Sequence, residues 1–297
     1  MQMTSRRVAY AFIAPSLLCL LGIIGWPLVQ AVSISLYRWN LISGVKRWNG
    51  LQNFIDILTS ADTLRVVGVT VVYTGLSVLL ELVLGLALAL LVRHGLQKNW
   101  SGFAVFRVVL CIPIMIAPLI WAFYFKSMYS PQFGMFNIVL SWLGISPVAW
   151  VNNPSIAIYS LIVADAWQWT PFMFAVLLAG LLTLPEEVIE AAVIDGASRW
   201  QILRLVELPL LKPILMVALL LRLIDSLKNI DLIIVITQGG PGTSTEILNY
   251  YAYSTSFQGF QMGSGAALAL IVFVVIMALV LVLMAALNRT GTKEARA

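Results

Sequence analysis

The sequence predicts an all-α, polytopic membrane protein, and three observations lead to this fold class. Apolar residues make up 61% of the 297-residue chain, charged residues make up only 10%, and the mean hydropathy is +0.95. This composition lies far outside the range of soluble globular domains. The apolar residues are gathered in runs near or above the roughly 20 residues that a helix needs to cross a bilayer. These runs are too long and continuous for barrel strands, which would alternate over about 10 residues.

The apolar runs predict six transmembrane helices within one domain that covers residues 1–297. Their expected limits are 8–36, 64–92, 103–125, 156–182, 213–237 and 263–287. The first run resembles a signal peptide in its position, but it is longer than the usual apolar core of about 7–15 residues and lacks an A-x-A cleavage pattern. We therefore expect an uncleaved anchor that bends at Pro15 and Pro27.

The distribution of lysine and arginine predicts the orientation of the chain, because cytoplasmic loops carry an excess of both. With the N-terminus inside, the basic residues on the cytoplasmic side are Arg6, Arg7, Arg93, Lys98, Arg107, Arg199, Arg204, Lys212, Arg289, Lys293 and Arg296. Those outside are only Arg38, Lys46, Arg47, Arg65 and Lys126. Both termini are therefore expected in the cytoplasm. The same asymmetry accounts for the net charge of +5 without a nucleic-acid partner.

An unusually elaborate polar segment, residues 184–212, separates the fourth and fifth predicted spans on the cytoplasmic side. Pro185 suits the first turn of a helix, and Glu186 and Glu187 would lie at the positive end of that helix. Gly196 is placed to end the helix. The segment therefore begins with a helix of its own before the fifth span.

A second short helix is predicted to start at Ser198, because Ser198 and Gln201 have the spacing of a capping box. Pro209 and Pro213 are expected to stop this helix before the fifth span. The two short helices would form a helix-turn-helix platform held against the membrane.

Two interpretations of this platform are open from the residues alone. An amphipathic loop lying on the membrane surface is one of them, but a lipid-facing helix would favour larger apolar anchors. Ala191 and Ala192 offer almost no side chain, so the groove of another protein could approach their backbone closely. The second interpretation is therefore a docking helix.

The spacing of this segment resembles the EAA loop of permease subunits in prokaryotic ATP-binding-cassette importers, written EAA, x3, G, x9, I-x-L-P. The match runs through residues 190–192, Gly196 and residues 206–209, with Val206 in place of isoleucine. In that family the loop forms a coupling helix that docks into a cleft of the ATPase subunit. The resemblance implies the same role here for Glu190, Ala191, Ala192, Asp195, Gly196, Leu208 and Pro209. We name residues 184–212 the coupling loop.

A second segment narrows the resemblance. Residues 237–246, T-Q-G-G-P-G-T-S-T-E, are similar to the T-x-G-G-P segment of carbohydrate permeases of the maltose-transporter type, specifically the first permease subunit of the pair. The run of residues 195–198, D-G-A-S, is also typical of sugar permeases. The resemblance covers nearly the whole chain, although the first external loop is short where some relatives carry an inserted domain.

Several expectations follow from this resemblance. It implies the MetI-like fold of type I importer permeases and a location in the prokaryotic cytoplasmic (inner) membrane. It also implies a second permease subunit, two ATPase subunits that carry ATP and Mg²⁺, an extracytoplasmic solute-binding protein and a carbohydrate solute. No cofactor is expected in this chain itself.

Ionisable residues in the fifth predicted span are costly, at about 2.5–3.5 kcal/mol each at a helix centre, and should face protein or water. They alternate in sign at i, i+3 spacing, as Arg222, Asp225, Lys228 and Asp231. One interpretation is a self-neutralising ladder in which Arg222 extends toward the cytoplasm. The other is that part of this face lines the transport pathway.

The pathway interpretation is favoured by a polar stretch at a similar depth in the fourth span. The candidate pathway residues are Asp165, Trp167, Gln168, Trp169, Asp225, Lys228, Asn229 and Asp231. Carboxylates and amides bond hydroxyl groups and indole rings cover the apolar faces of sugars, so the set suits a carbohydrate, although it would equally suit interhelical packing. Trp167 and Trp169 lie on different helix faces and cannot both face one pathway. Glu81, alone in the second span, is interpreted as a packed or protonated structural acid.

Enzyme chemistry is not predicted. His94 is the single histidine, in the loop after the second span, and Cys19 and Cys111 are far from it in sequence. The chain lacks the G-x-x-x-x-G-K-[ST] phosphate loop and the G-x-S-x-G elbow, so ATP hydrolysis is expected on a partner subunit.

Two other classes stay open as alternatives. A secondary carrier would show inverted repeats and helices broken at the midplane, which the six unequal spans do not indicate. A membrane assembly protein without transport activity would have no reason for a charged pathway face.

Overall fold

A computed structural model gives the structure of the protein and describes residues 2–98 and 102–294. Arg296, which contributes to the predicted orientation, lies outside the described residues. The chain divides into two compact units. One unit is formed by the segment that ends at Leu64 together with Tyr251–Val274, and the other by Arg65–Tyr250 and the segment that begins at Val275.

The first unit begins with an interrupted helix. α1 (Gln2–Leu20) leads through a π turn (Leu21–Gly25) into α2 (Trp26–Ser35). In the π turn the Trp26 N–H donates to the Leu21 carbonyl oxygen, and Pro27 falls in the first turn of α2, where its missing N–H is not needed. The irregularity therefore lies immediately before Pro27, close to one of the two expected bends.

A small antiparallel hairpin follows α2 and was not predicted from the sequence. β1 (Tyr37–Trp39) pairs with β2 (Lys46–Trp48), so that Tyr37 lies opposite Trp48. The Lys46 ammonium lies 4.5 Å from the centre of the Tyr37 ring, within the range of a cation–π contact. α3 (Gln52–Thr59) is joined to the end of α2 by the Asn53 amide, which donates to the Ser35 carbonyl oxygen at 2.7 Å.

The second unit contains most of the helices. Along the chain the helices are α4 (Ala61–Gln97), α5 (Phe103–Leu110), α6 (Pro118–Met128), α7 (Met135–Trp142), α8 (Ala157–Leu182), α9 (Glu186–Ile194), α10 (Arg199–Ile202), α11 (Leu208–Lys228) and α12 (Asp231–Ile236). Two more helices, α13 (Leu248–Tyr253) and α14 (Met262–Glu294), enclose a π turn (Ser254–Gln258). His94 lies in the last turn of α4 and not in a loop, because that helix extends beyond the predicted limit.

Four helical segments of the described chain are long and apolar enough to cross a membrane. They are Phe12–Ser35, Ala61–Gln97, Ala157–Leu182 and Met262–Ala285. These segments coincide with the first, second, fourth and sixth predicted spans. The third and fifth predicted spans are built from shorter helices, so the expectation of continuous helices there is wrong.

The break in the third span has a physical cause that the sequence contains. α5 ends at Leu110, a 3₁₀ turn covers Pro113–Met115, and α6 begins at Pro118. Ala117 has the extended backbone (φ −59°, ψ 138°) that a following proline favours. A proline cannot continue an α-helix from the preceding segment without losing a hydrogen bond.

The fifth predicted span is broken as well, although it contains no proline at the break. α11 ends at Lys228, Asn229 is extended (ψ 123°), and α12 begins two residues later at Asp231. The sequence disfavours a secondary carrier because it indicates neither inverted repeats nor broken helices. Since two spans are broken, the second of these reasons no longer holds.

The helices α4, α8 and α11 share an apolar core. It contains Ala89, Val92, Phe174, Leu177, Leu178, Leu181 and Leu211. Gly85 permits the close approach of α4 to α8, since a Cβ at this position would lie 2.6 Å from the Met173 Cβ and 2.9 Å from the Phe174 backbone nitrogen. This core holds in place the polar side chains described below.

Candidate functional site

The first helix of the coupling loop has the predicted start and end. α9 follows Pro185 and carries Glu186 and Glu187 in its first turn. Gly196 has a φ of +79°, a conformation that glycine adopts at little cost. The Ala197 N–H donates to the Ala192 carbonyl oxygen at 3.0 Å, and the Gly196 N–H donates to the Val193 carbonyl oxygen, also at 3.0 Å. This pair of bonds is a Schellman motif, which satisfies carbonyl groups at the end of the helix.

The second short helix begins at the predicted capping box. The Gln201 N–H donates to the Ser198 Oγ at 3.4 Å, and the Ser198 N–H donates to the Gln201 Oε1 at 2.8 Å. The two bonds satisfy donors that the first turn of α10 would otherwise leave free. The cap therefore sets the start of α10 within the coupling loop.

Pro209 and Pro213 do not stop this second helix, and the prediction that they would is wrong. α10 runs into a π turn (Leu203–Glu207) and then directly into α11. The Leu208 N–H donates to the Leu203 carbonyl oxygen, so α11 starts with Pro209 in a first turn, where no N–H is required. The coupling loop is consequently continuous with the helix that carries the charged residues.

The coupling loop exposes apolar and small side chains. None of the residues of α9 is buried, and Ile194 is 85% exposed. Glu190, Ala191, Asp195, Gly196 and Pro209 are exposed, whereas Ala192 and Leu208 are half-buried. An exposed apolar surface of this kind is typical of a contact with another protein.

A buried ionic cluster lies between α4, α8 and α11, with Arg222 at its centre and fully buried. The Arg222 Nε donates to the Glu81 Oε2 at 2.6 Å, and its Nη2 donates to the Glu81 Oε1 at 2.8 Å. Nη2 also bonds the Asp165 Oδ2, and Nη1 donates to the Asp225 Oδ2 at 3.1 Å. One guanidinium therefore joins three carboxyl groups from three helices. We name these four residues the Arg222 cluster.

Two further side chains extend the Arg222 cluster. The Asn229 amide donates to the Asp165 Oδ1 at 3.1 Å and lies 3.4 Å from the Tyr73 hydroxyl oxygen. The guanidinium carbon of Arg222 lies 4.9 Å from the centre of the Trp169 ring, within cation–π range. The Asn229 side chain therefore bonds the cluster from the break between α11 and α12.

Arg222 does not extend toward the cytoplasm, and that interpretation is wrong. Its charge is directed inward because three carboxyl groups surround it in the protein interior. Glu81 is a packed structural acid, as interpreted from the sequence. The sequence did not indicate its partner, because Glu81 and Arg222 lie 141 residues apart.

The predicted ladder of alternating charges forms only in part. Arg222 and Asp225 are paired at i, i+3 spacing. No ion pair links Lys228 to another residue in the part of the chain that the structure describes. Asp231 belongs to α12, so the ladder cannot continue along one helix.

A cavity of about 140 Å³ lies beside the Arg222 cluster. Six of the eight candidate pathway residues line it, together with Pro118 and Ile230; they are Gln168, Trp169, Asp225, Lys228, Asn229 and Asp231. The Gln168 side-chain nitrogen donates to the Ile116 carbonyl oxygen at 3.0 Å, at the break between α5 and α6. The Gln168 Oε1 is buried and has no hydrogen-bond partner in the structure. The Gln168 side chain thus joins α8 to the break between α5 and α6 and lines the cavity.

The other two candidate pathway residues lie elsewhere. Trp167 does not line this cavity: it is 44% exposed, and its ring centre lies 5.5 Å from that of Phe125. Trp167 and Trp169 diverge because residues two apart on a helix face different directions. Asp165 is fully buried behind the cavity, where it bonds Arg222 and Asn229.

The glycine-rich segment after α12 forms a compact turn. The Thr245 Oγ1 is buried and lies 2.8 Å from both the Thr237 Oγ1 and the Gly240 carbonyl oxygen. The Tyr250 hydroxyl donates to the Gln238 carbonyl oxygen at 2.9 Å. These bonds join the end of α12 to α13.

Comparisons with known proteins place the chain among permeases. Residues 81–292 match the family described as binding-protein-dependent transport system inner membrane component. The chain is 38% identical over 265 residues to the trehalose/maltose transport system permease protein MalF of Thermococcus litoralis, covering 89% of this chain and 88% of that protein. It is 33% identical to the trehalose transport system permease protein SugA of Mycobacterium tuberculosis, covering 91% and 85%. It is also 32% identical to the sulfoquinovosyl glycerol transport system permease protein SmoG of Agrobacterium fabrum, covering 90% and 85%.

The fold is similar to that of solved transporter chains. A chain of a bacterial ABC transporter involved in the import of alginate superposes with a TM-score of 0.81 at 24% identity, covering 97% of both chains. A chain of the MetNI methionine ABC transporter superposes with a TM-score of 0.55 at 20% identity, covering 76% of this chain and 95% of that one. These similarities confirm the MetI-like fold that the sequence predicted.

Proposed function

This chain belongs to the family of binding-protein-dependent transport system inner membrane components, and from that premise we propose that it supplies half of the translocation pathway of an ATP-driven sugar importer. Its partners are a second, similar permease, two ATPase subunits that hold ATP and Mg²⁺, and an extracytoplasmic solute-binding protein. The complex lies in a prokaryotic cytoplasmic (inner) membrane, with both termini of this chain in the cytoplasm. ATP hydrolysis takes place on the ATPase subunits.

The coupling loop is the observation that carries this proposal. α9 has no buried residue, ends in a Schellman motif and presents Ala191 and Ala192, which suits insertion into a groove of the ATPase. Because α10 continues through the π turn into α11, a displacement of α10 is transmitted to the helix that bears Arg222 and Asp225. Closure of the ATPase subunits around ATP would draw two such loops together and open the pathway toward the binding protein.

The solute assigned here is a sugar or a sugar-like molecule. The relatives named above carry names for the transport of trehalose, maltose or sulfoquinovosyl glycerol. The cavity is lined by the indole ring of Trp169, the side-chain amide of Gln168 and the carboxyl group of Asp231. These groups bond hydroxyls and cover an apolar sugar face.

Purification of the tagged chain from its native membrane tests this function. We expect an ATPase subunit to co-purify and the reconstituted complex to hydrolyse ATP in response to the binding protein. A secondary carrier would bring no ATPase, and an assembly protein would bring partners without solute uptake. Either result would contradict the proposal.

Reversing the charge of Glu190 is expected to weaken docking of the ATPase. Glu190→Lys places a cation in the exposed face of α9 and should lower both the yield of co-purified ATPase and its stimulation by the binding protein. Glu187→Lys is the matched control, because it reverses a charge in the first turn of the same helix, where a charge reversal costs about 0.3–1 kcal/mol of helix stability. If Glu190 only stabilised the helix, Glu187→Lys would have the larger effect.

The two neighbouring tryptophans offer a matched test of the cavity. Trp169→Leu removes a ring that lines the cavity and should lower solute uptake several-fold when uptake is normalised to assembled complex. Trp167→Leu removes a ring outside the cavity and should leave normalised uptake unchanged. Equal uptake by both variants would remove the cavity from the pathway.

A further inference from the structure

An ion pair joins the coupling loop to α4, and nothing in the EAA spacing specifies it. The Arg93 Nη1 lies 2.7 Å from the Glu207 Oε1, with side-chain exposures of 9% and 11%. Glu207 ends the π turn of the coupling loop and occupies the variable position of the I-x-L-P segment. Arg93 lies in the last part of α4. We name Arg93 and Glu207 the loop pair.

The loop pair has a counterpart deeper in the same two helices. Glu81 of α4 forms two bonds to Arg222 of α11, and we name these residues the cavity pair. Glu81 and Arg93 are separated by 12 residues, or about 18 Å of helix, and Glu207 and Arg222 by 15 residues, or about 22 Å. Ion pairs therefore link α4 to α11 and the turn before it at two positions along their length.

The two pairs have opposite polarity. α4 supplies the acid of the cavity pair and the base of the loop pair, whereas α11 and the turn before it supply the reverse. Displacing one helix along the other would separate both pairs and leave charges with little access to water and no partner, which is costly. Between the two pairs, α4 and α11 contribute apolar residues such as Val92 and Leu211 to one core. Apolar contacts would tolerate sliding of the helices better than the ion pairs would.

We propose that Arg93 and Glu207 are positioning residues that hold the coupling loop in register with α4. A movement of the coupling loop then reaches the Arg222 cluster by two routes. One is α11, which continues directly from the loop, and the other is α4, which the loop pair links to the coupling loop. Without the loop pair, α11 would move relative to α4 and strain the cavity pair. This inference rests on the proposed function, because it assigns a route for coupling within that importer.

The test compares single variants, a charge swap and a control in the complete reconstituted complex. Arg93→Gln and Glu207→Gln each leave one charge of the loop pair without a partner. We expect amide hydrogen exchange in residues 90–97 and 199–208 to accelerate by more than about tenfold in both, because a largely buried charge without a partner favours local opening. The amount of solute transported per ATP hydrolysed should fall several-fold.

The swap variant Arg93→Glu with Glu207→Arg should restore both the slow amide exchange and the amount of solute transported per ATP hydrolysed. It also tests the proposal if a single variant fails to accumulate. Arg204→Gln is the control, because Arg204 lies in the same π turn, is exposed and forms no ion pair in the described part of the chain. Unchanged exchange in the single variants, or a swap that restores nothing, would overturn the inference. Faster exchange with an unchanged transport ratio would overturn it too, because the pair would then be a structural contact only.

The proposed function and this inference fail in different ways. A wild-type complex that contains no ATPase contradicts the proposed function. The exchange measurement requires neither ATP hydrolysis nor solute, so on the purified complex, whatever subunits accompany the chain, it still shows whether the loop pair holds the coupling loop on α4.

Discussion

Replacing Arg222 with methionine is expected to remove most of the assembled transporter from the membrane. Arg222 is fully buried and bonds Glu81, Asp165 and Asp225. Removal of one partner from a buried ion pair typically costs about 3–5 kcal/mol, because the remaining charge loses its compensation. Here three carboxyl groups lose theirs together. The measurement is the amount and the thermal stability of the complex extracted in detergent.

Compensating variants separate the loss of charge balance from the loss of packing. Arg222→Lys keeps the positive charge but cannot form the two parallel bonds to Glu81, so an intermediate stability is expected. Combining Arg222→Met with Glu81→Gln and Asp165→Asn removes the two fully buried uncompensated charges and leaves only that of Asp225, whose side chain is 40% exposed, so it should recover much of the lost complex. If Arg222→Met accumulated and melted as the wild type does, the Arg222 cluster would not stabilise the fold.

The elements that could be predicted from the sequence are those that depend on local interactions. Gly196 ends α9 and Ser198 caps α10 because both effects act within a few residues along the chain. The break before Pro118 was also local and could have been found, since Pro113 and Pro118 interrupt the third apolar run. A proline does not always break an apolar helix, since Pro171 lies within the continuous α8.

The features that could not be predicted depend on contacts between distant residues. Asn229, at the end of α11, bonds Asp165, which lies 64 residues earlier in the chain. The partner of Glu81 lies 141 residues away, and that of Arg93 lies 114 residues away. Composition alone placed these charges in the membrane region, but it could not decide which of them would meet. The helix periodicity could separate Trp167 from Trp169 but not say which of the two faces the cavity.

Replacing Gly196 with valine is expected to uncouple ATP hydrolysis from transport while leaving the chain in the membrane at its normal level. Gly196 has a φ of +79°, which a β-branched residue strongly disfavours. A Cβ at this position would meet no atom within 4 Å, so the effect comes from the backbone and not from a steric clash. The left-handed conformation costs roughly 1–2 kcal/mol for an ordinary residue, which lowers the population of the Schellman motif about 5- to 30-fold.

Two variants make this expectation specific to the coupling loop. Gly196→Asn should retain most of the transport, because asparagine tolerates the left-handed conformation better than valine does. Gly44→Val is the matched control: Gly44 has a φ of +65° and equally open surroundings, but it belongs to the turn between β1 and β2. It should cause similar local strain and leave coupling intact. The measurement is solute uptake and ATPase stimulation per assembled complex, and normal values for Gly196→Val would show that the end of α9 does not control docking.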